Sequence, residues 1–138
     1  GYFAGDLFAR AAAGQSSTQN NPDGIPWVPY SEEALQKLLA ENKPVFLDFT
    51  ADWCITCKYN EASSINTEAV RQAFEKGGIV AMKADWTNSN PAITKKLAEF
   101  DRVGVPFYLF YGPEGQDDPV ILPELLTENI VLRVLSTD

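Results

Sequence analysis

The sequence predicts an α/β domain in which helices flank a central mixed β-sheet. Three apolar runs, at residues 45–50, 79–84 and 105–111, are separated by helix-like segments, which is the pattern of parallel βαβ units. A turn-forming stretch at 112–115 leads into a short run at 119–122, so the last two strands are expected to pair antiparallel. The first run carries apolar side chains on both faces, which indicates a sheet that is covered on both sides.

Two segments of different composition divide the chain. Residues 1–24 combine an Ala-rich stretch with a polar stretch, which is typical of a flexible linker or N-terminal extension. Residues 25–138 hold the predicted strands and helices and form one expected domain. The net charge of −8, from 11 basic and 19 acidic residues, argues against nucleic acid and anionic membrane surfaces as partners. No apolar run approaches the roughly 18 residues of a membrane span, and we expect this part of the protein to be a soluble monomer.

Capping signals place the helices. Ser31 is a good N-cap for a helix over 32–42, and Asn90 followed by Pro91 opens another helix. Residues 25–30 are expected to be extended, since their prolines bias the neighbouring residues away from helix. The other helices are predicted over 54–64, 67–76 and 128–135.

The only two cysteines are Cys54 and Cys57, spaced as Cys-x-x-Cys directly after a buried strand and at the start of a helix. A helix N-terminus stabilises a thiolate, so this arrangement predicts a thiol–disulfide exchange site. Cys54 lies at the mouth of the helix and is the expected attacking thiol. Cys57 lies one turn deeper and is expected to resolve the mixed disulfide with the partner.

Other uses of the pair are less favoured. A structural zinc site needs four ligands, and the chain has no histidine and no further cysteine to supply the second half. A purely structural disulfide across so short a loop would add little stability. We therefore expect no cofactor or metal other than the redox-active Cys54–Cys57 disulfide.

Two acids are candidate proton-handling residues. Asp48 interrupts the apolar strand, and the two-sided pattern predicts that it is buried beneath the cysteines. Burial would raise its pKa by desolvation and let it accept or deliver a proton during exchange. Glu61 follows Cys57 by four residues on the same helix face and would place a second carboxylate near the thiols. Two acids there would disfavour the thiolate of Cys54; an exposed surface glutamate is the alternative for Glu61.

Val105-Pro106 opens a central strand, where proline is normally excluded because it lacks a donor. A cis peptide bond would account for it and would expose the Val105 backbone to a partner strand; an ordinary trans proline at a strand start is the alternative. Trp53, next to Cys54, is interpreted as a surface shield of the site. The other prominent aromatic residues are expected in the core: Trp27, Tyr30, Tyr59, Trp86, Phe107 and Tyr108.

Residues 47–58 together with Gly104-Val105-Pro106 resemble the thioredoxin superfamily, and the resemblance runs over about residues 30–136. It implies the thioredoxin fold, a cis proline, and a partner-binding surface made of Trp53, Ile55, Thr56, Val105 and Pro106. Ile55-Thr56 replaces the Gly-Pro of general thioredoxins. Strongly oxidising members carry a histidine between the cysteines, and its absence here argues for a reductant.

Within that superfamily, Ala51-Asp52-Trp53-Cys54 with Cys57-Lys58 and Glu61 resembles the C-terminal periplasmic domains of the DsbD family, and residues 120–127 are similar to its ScsB branch. This resemblance implies a periplasmic domain of an inner-membrane protein. Such a domain accepts electrons from a membrane-embedded cysteine pair of the same protein and passes them to a periplasmic acceptor. The family's two acids, here Asp48 and Glu61, keep the attacking cysteine poorly ionised until a partner docks.

Two alternative functions stay open at this point. The chain could be a free-standing thioredoxin-like reductase with several clients, which the gene upstream of this segment would reveal. It could also be a non-catalytic thioredoxin-fold adaptor with an idle disulfide, in which case Cys54 would stay oxidised and resist alkylation.

Overall fold

A computed structural model describes residues 24–113 and 118–136. The predicted flexible extension at 1–24 therefore lies almost entirely outside the described residues, as does part of the predicted turn at 112–115. Across the described ranges no helix is both long and apolar enough to cross a membrane. The strands are β1 Val28–Pro29, β2 Val45–Thr50, β3 Val80–Asp85, β4 Phe107–Tyr111 and β5 Val120–Ile121. The helices are α1 Glu32–Ala40, α2 Ile55–Asn60, α3 Glu68–Gly77, α4 Pro91–Ala98 and α5 Glu128–Leu135, with a π-helical turn at Glu61–Ile65.

The five strands form one mixed sheet in the order β1-β3-β2-β4-β5. β2 runs parallel to β3 and antiparallel to β4, and β5 closes one edge antiparallel to β4. This confirms the predicted α/β class and the antiparallel end of the sheet. The predicted order of elements omitted β1, which adds to the other edge, parallel to β3, although the segment was expected to be extended. Its two residues are too few to carry a periodic signal.

The core lies on both faces of the sheet because the side chains of β2 alternate between them. Phe46 packs with the helices α3 and α5, in a cluster that includes Val70, Phe74 and Val131. The opposite face of β2 packs against α1 and α4, through Val45, Leu47, Phe49, Leu35, Leu39, Ile93 and Leu97. β2 is therefore buried along its whole length, and any polar side chain on it is removed from water.

The helix after the cysteines is the element that departs most from prediction. A single helix was predicted over 54–64, but α2 ends at Asn60 and the chain continues as a π-helical turn. The Asn66 backbone N–H donates to the Glu61 carbonyl at 2.7 Å, an i to i+5 hydrogen bond. This turn widens the helix directly beyond the cysteine pair, and π-helical turns are frequent at functional sites.

Candidate redox site

The Cys54–Cys57 disulfide lies at the N-terminus of α2, at the carboxyl end of β2. Cys54 is the N-cap residue of α2, and the Cys57 backbone N–H donates to the Cys54 sulfur at 3.1 Å. The Cys54 N–H donates in turn to the Ala51 carbonyl at 3.2 Å, which closes the turn between strand and helix. A sulfur in the capping position receives a backbone N–H and the positive end of the helix dipole, and both favour a thiolate there.

The two sulfur-bearing residues differ in exposure. Cys54 is 7% exposed and Cys57 is completely buried. Both pack against Ala51 and the half-buried Val105. Only Cys54 offers any surface to an incoming disulfide, which is the geometry expected if Cys54 attacks and Cys57 resolves.

Asp48 is completely buried on β2, and neither of its carboxylate oxygens has a hydrogen-bond partner among the described residues. Desolvation by burial, with a smaller contribution from the negative charge of Glu61, raises the pKa of Asp48 to about 7. The positive charges of Lys83 and Lys58 oppose that rise. A carboxyl group with such a pKa can hold or release a proton near neutral pH, which is what a proton partner for thiol exchange needs.

Glu61 is half-buried at the start of the π-helical turn and lies close enough to Asp48 for its charge to act on that carboxyl group. The Thr50 hydroxyl donates to Glu61 Oε2 at 3.1 Å, so the glutamate is turned toward the end of β2. The exposed-surface alternative for Glu61 is therefore wrong. Sequence reasoning did not identify Thr50, because a threonine at the end of a strand is common and carries no signal of its own.

The side chains predicted to meet a partner surround Cys54. Trp53 is 57% exposed, its Nε1–H donates to the Thr87 carbonyl at 3.0 Å, and its ring lies 6.1 Å from that of Trp86. Ile55 is 84% exposed and Thr56 is also at the surface. These residues form an accessible rim on the helix side of the cysteine pair.

The opposite side of the pair is formed by Val105-Pro106, whose peptide bond is cis. Val105 is half-buried against the cysteines, and Pro106 is buried immediately before β4. The structure thus has the cis form that the sequence offered as one of two alternatives. The contribution of Val105 and Pro106 to partner binding remains a prediction.

One aromatic residue was placed wrongly by the sequence. Tyr59 was expected in the core, but it lies on the outer face of α2 and is 57% exposed. The neighbouring Lys58 pairs with Asp52 at 3.8 Å, and both side chains are largely in solvent. The α2 helix buries only the face that carries Cys57 and Asn60. Its charged residue, Lys58, and its aromatic residue, Tyr59, are therefore exposed.

Comparison with known proteins shows the family to which this chain belongs. The model of the thioredoxin-like family matches residues 26–113, so the chain belongs to the thioredoxin-like family. Within the parts of the chain that the structure describes, no cluster of three or more metal-ligating side chains occurs. Fold, family and the Cys-x-x-Cys disulfide together define the class as thioredoxin-fold proteins with a redox-active disulfide.

Within this class the chain is DsbD-like. It is 34% identical over 105 residues to the thiol:disulfide interchange protein DsbD of Salmonella typhimurium, a match that covers 76% of this chain and 18% of that protein. The chain therefore spans about a fifth of the length of the curated relatives it matches.

Solved structures agree with this assignment. The oxidised C-terminal domain of Neisseria meningitidis DsbD is 29% identical, with a TM-score of 0.60 over 74% of this chain and 87% of that one. The reduced form of the same domain is 25% identical, with a TM-score of 0.62 over 78% of this chain and 96% of that one. The disulfide and these relatives together support thiol:disulfide oxidoreductase activity for the domain.

Proposed function

We propose that this domain is a disulfide reductase in an electron relay, which takes electrons from a membrane-embedded cysteine pair and passes them to periplasmic disulfides. The observations that carry the proposal are the disulfide at the start of α2 and the buried Asp48 on the preceding strand β2, whose carboxylate has no hydrogen-bond partner among the described residues. The similarity to the C-terminal domain of DsbD supports the relay role. The membrane-embedded donor would belong to the same protein, and the site of action would be the periplasm.

The proposed exchange consists of two consecutive displacements at sulfur. In the reduced domain the Cys54 thiolate attacks a partner disulfide, forms an S–S bond with one partner sulfur and releases the other as a thiolate. The Cys57 thiolate then attacks Cys54 Sγ, forms the Cys54–Cys57 disulfide and releases the second partner thiolate. Two electrons pass to the partner, and its two thiolates take up the protons that the cysteines gave up. Loading of the domain by the membrane pair is the same sequence in reverse.

In this proposal the site residues have distinct tasks. Asp48 stores a proton for the exchange, because its raised pKa lets it change charge near pH 7. Glu61 adds negative charge, which disfavours the thiolate until a partner changes the surroundings. Trp53, Ile55, Thr56, Val105 and Pro106 form the docking rim, where the partner's chain would lie against the cis-proline strand.

Trapping experiments test the chemistry. With oxidised glutathione as the probe, Cys57→Ser is expected to accumulate a mixed disulfide on Cys54, whereas Cys54→Ser is expected to form none. The unchanged domain should accelerate the reduction of insulin by dithiothreitol, and both variants should fail to do so. A domain that leaves insulin reduction unaccelerated would favour the non-catalytic adaptor.

The gene sequence upstream of residue 1 would distinguish the electron relay from a free-standing thioredoxin-like reductase. The relay requires several membrane spans that carry a cysteine pair. A secretion signal alone would make this a free-standing thioredoxin-like reductase, with the same chemistry at Cys54 and different electron donors.

A further inference from the structure

Asn60 is a completely buried polar residue whose side chain is fully used in hydrogen bonds. Its Nδ2 donates to the Tyr108 hydroxyl at 2.8 Å and to the Glu124 carbonyl at 2.7 Å. Its Oδ1 accepts the Leu126 backbone N–H at 3.1 Å. Both amide protons and the carbonyl oxygen therefore have partners, which is the condition for burying an asparagine without loss.

These bonds join three parts of the chain that are distant in sequence. Asn60 is the last residue of α2, the helix that carries Cys57, and the π-helical turn begins at the next residue. Tyr108 belongs to β4, directly opposite Asp48 on β2. The Asn60 side chain thus connects the helix of the cysteine pair to the strand beside the buried acid and to the segment 124–126.

Glu61 is consequently held at two points. Its backbone follows the anchored Asn60, and its carboxylate accepts the Thr50 hydroxyl at 3.1 Å. The charge of Glu61 acts on Asp48, and the energy of such an interaction depends on the distance between the groups. Fixing the end of α2 therefore fixes how strongly the second acid acts on the site.

We propose that Asn60 is a positioning residue of the redox site, which holds Glu61 close to Asp48 through its hydrogen bonds to Tyr108 and to the segment 124–126. The inference rests on the proposed function, since it concerns the proton chemistry of that same site. Asn60 itself touches no reacting atom and would act only through the placement of Glu61.

The test is the pH profile of Cys54 alkylation by iodoacetamide in the reduced domain. Asn60→Ala is expected to release the end of α2, let Glu61 move toward solvent and increase the thiolate population of Cys54. Alkylation at pH 7 should then be about threefold faster or more, equivalent to a shift of about half a pH unit in the profile. Ser31→Ala is the control, because it removes the N-cap of α1 away from the cysteines and should leave the profile unchanged.

The decisive comparison places Asn60→Ala in a Glu61→Gln background. If Asn60 acts through the Glu61 charge, the substitution should no longer move the profile there, and a full shift in that background would overturn the proposal. An unchanged profile in Asn60→Ala itself would also overturn it. If Asn60→Ala does not fold, Tyr108→Phe is the second variant, because it removes one of the three hydrogen bonds of Asn60 and keeps the aromatic ring. It should shift the alkylation profile in the same direction as Asn60→Ala. An unshifted profile would count against the proposal.

Failure of this inference can be told from failure of the proposed function. If the unchanged domain does not exchange its disulfide with glutathione, the proposed function fails. If it exchanges normally and the Asn60 and Tyr108 variants match it at every pH, only the positioning role is wrong.

Discussion

Among single residues, Asp48 is the one whose burial and proton chemistry could be predicted from the sequence. Its place on a strand that is apolar on both faces predicted that it would be buried, and neither of its oxygens has a hydrogen-bond partner in the part of the chain that the structure describes. Thr50 and Asn60 were not foreseen in the same way. Their importance comes from contacts with Glu61, Tyr108 and the segment 124–126, and such contacts have no periodicity that a sequence could display.

Stability should depend on pH through Asp48. Its pKa is raised from 3.8 to about 7, so between these values the folded domain keeps a proton that the unfolded chain has lost. The free energy of unfolding should therefore fall as pH rises through that window. Asp48→Asn cannot ionise and should be more stable than the unchanged domain above pH 7, by up to about 4 kcal/mol. Urea unfolding of the disulfide form across this pH range measures the difference; parallel profiles for the two proteins would contradict it.

The influence of Glu61 on Asp48 can be measured separately. Because the Glu61 charge contributes to the raised pKa of Asp48, Glu61→Gln should lower that pKa and move its titration to lower pH. Carbon NMR of the Asp48 carboxyl group would follow the titration directly. Glu33→Gln makes the same chemical change on the exposed surface of α1 and should leave the Asp48 titration in place.

At the scale of elements, prediction succeeded where a local rule decides the boundary. Ser31 and Asn90, the two predicted capping residues, each accept a backbone N–H at the start of a helix. Thr67 and Thr127 do the same at the starts of α3 and α5, although neither had been predicted as a cap from the sequence. α5 has the predicted bounds, whereas β1 and the π-helical turn after α2 were missed. β1 exists because of its pairing with β3, and the turn follows Asn60, whose side chain is bound to distant segments.

The end of α3 offers an element-scale test. Gly78 follows α3 with a positive φ of 62°, a conformation that side chains with a Cβ adopt at a cost. Gly78→Ala should destabilise the domain by about 1 kcal/mol through backbone strain alone, since nothing lies within 4 Å of the added Cβ. Gly104→Ala meets equally open space without a positive φ and serves as the control for urea unfolding. Equal stability losses in the two variants would contradict this account of Gly78.

At the scale of the whole molecule, the alternation of strands and helices predicted the α/β class, and the resemblance carried by residues 47–58 and 104–106 implied the thioredoxin fold. The antiparallel pairing of β2 with β4 brings the end of β2, the start of α2 and the cis Val105-Pro106 to the same end of the sheet, where Val105 packs against the cysteines. The sequence could not supply the polar contacts that fix Glu61, because they join elements up to 66 residues apart. The fold is thus predictable from the sequence, whereas the polar contacts around Glu61 form only in the packed molecule.

If this domain donates electrons, its cysteine pair must be reducing. The most direct measurement is the reduction potential of the Cys54–Cys57 pair, obtained by equilibration with glutathione buffers. We expect a reducing value, close to that of thioredoxin at about −270 mV or somewhat above it. A value near −120 mV, typical of a strong oxidant, would contradict the relay and make the domain a disulfide-forming protein in spite of its two acids.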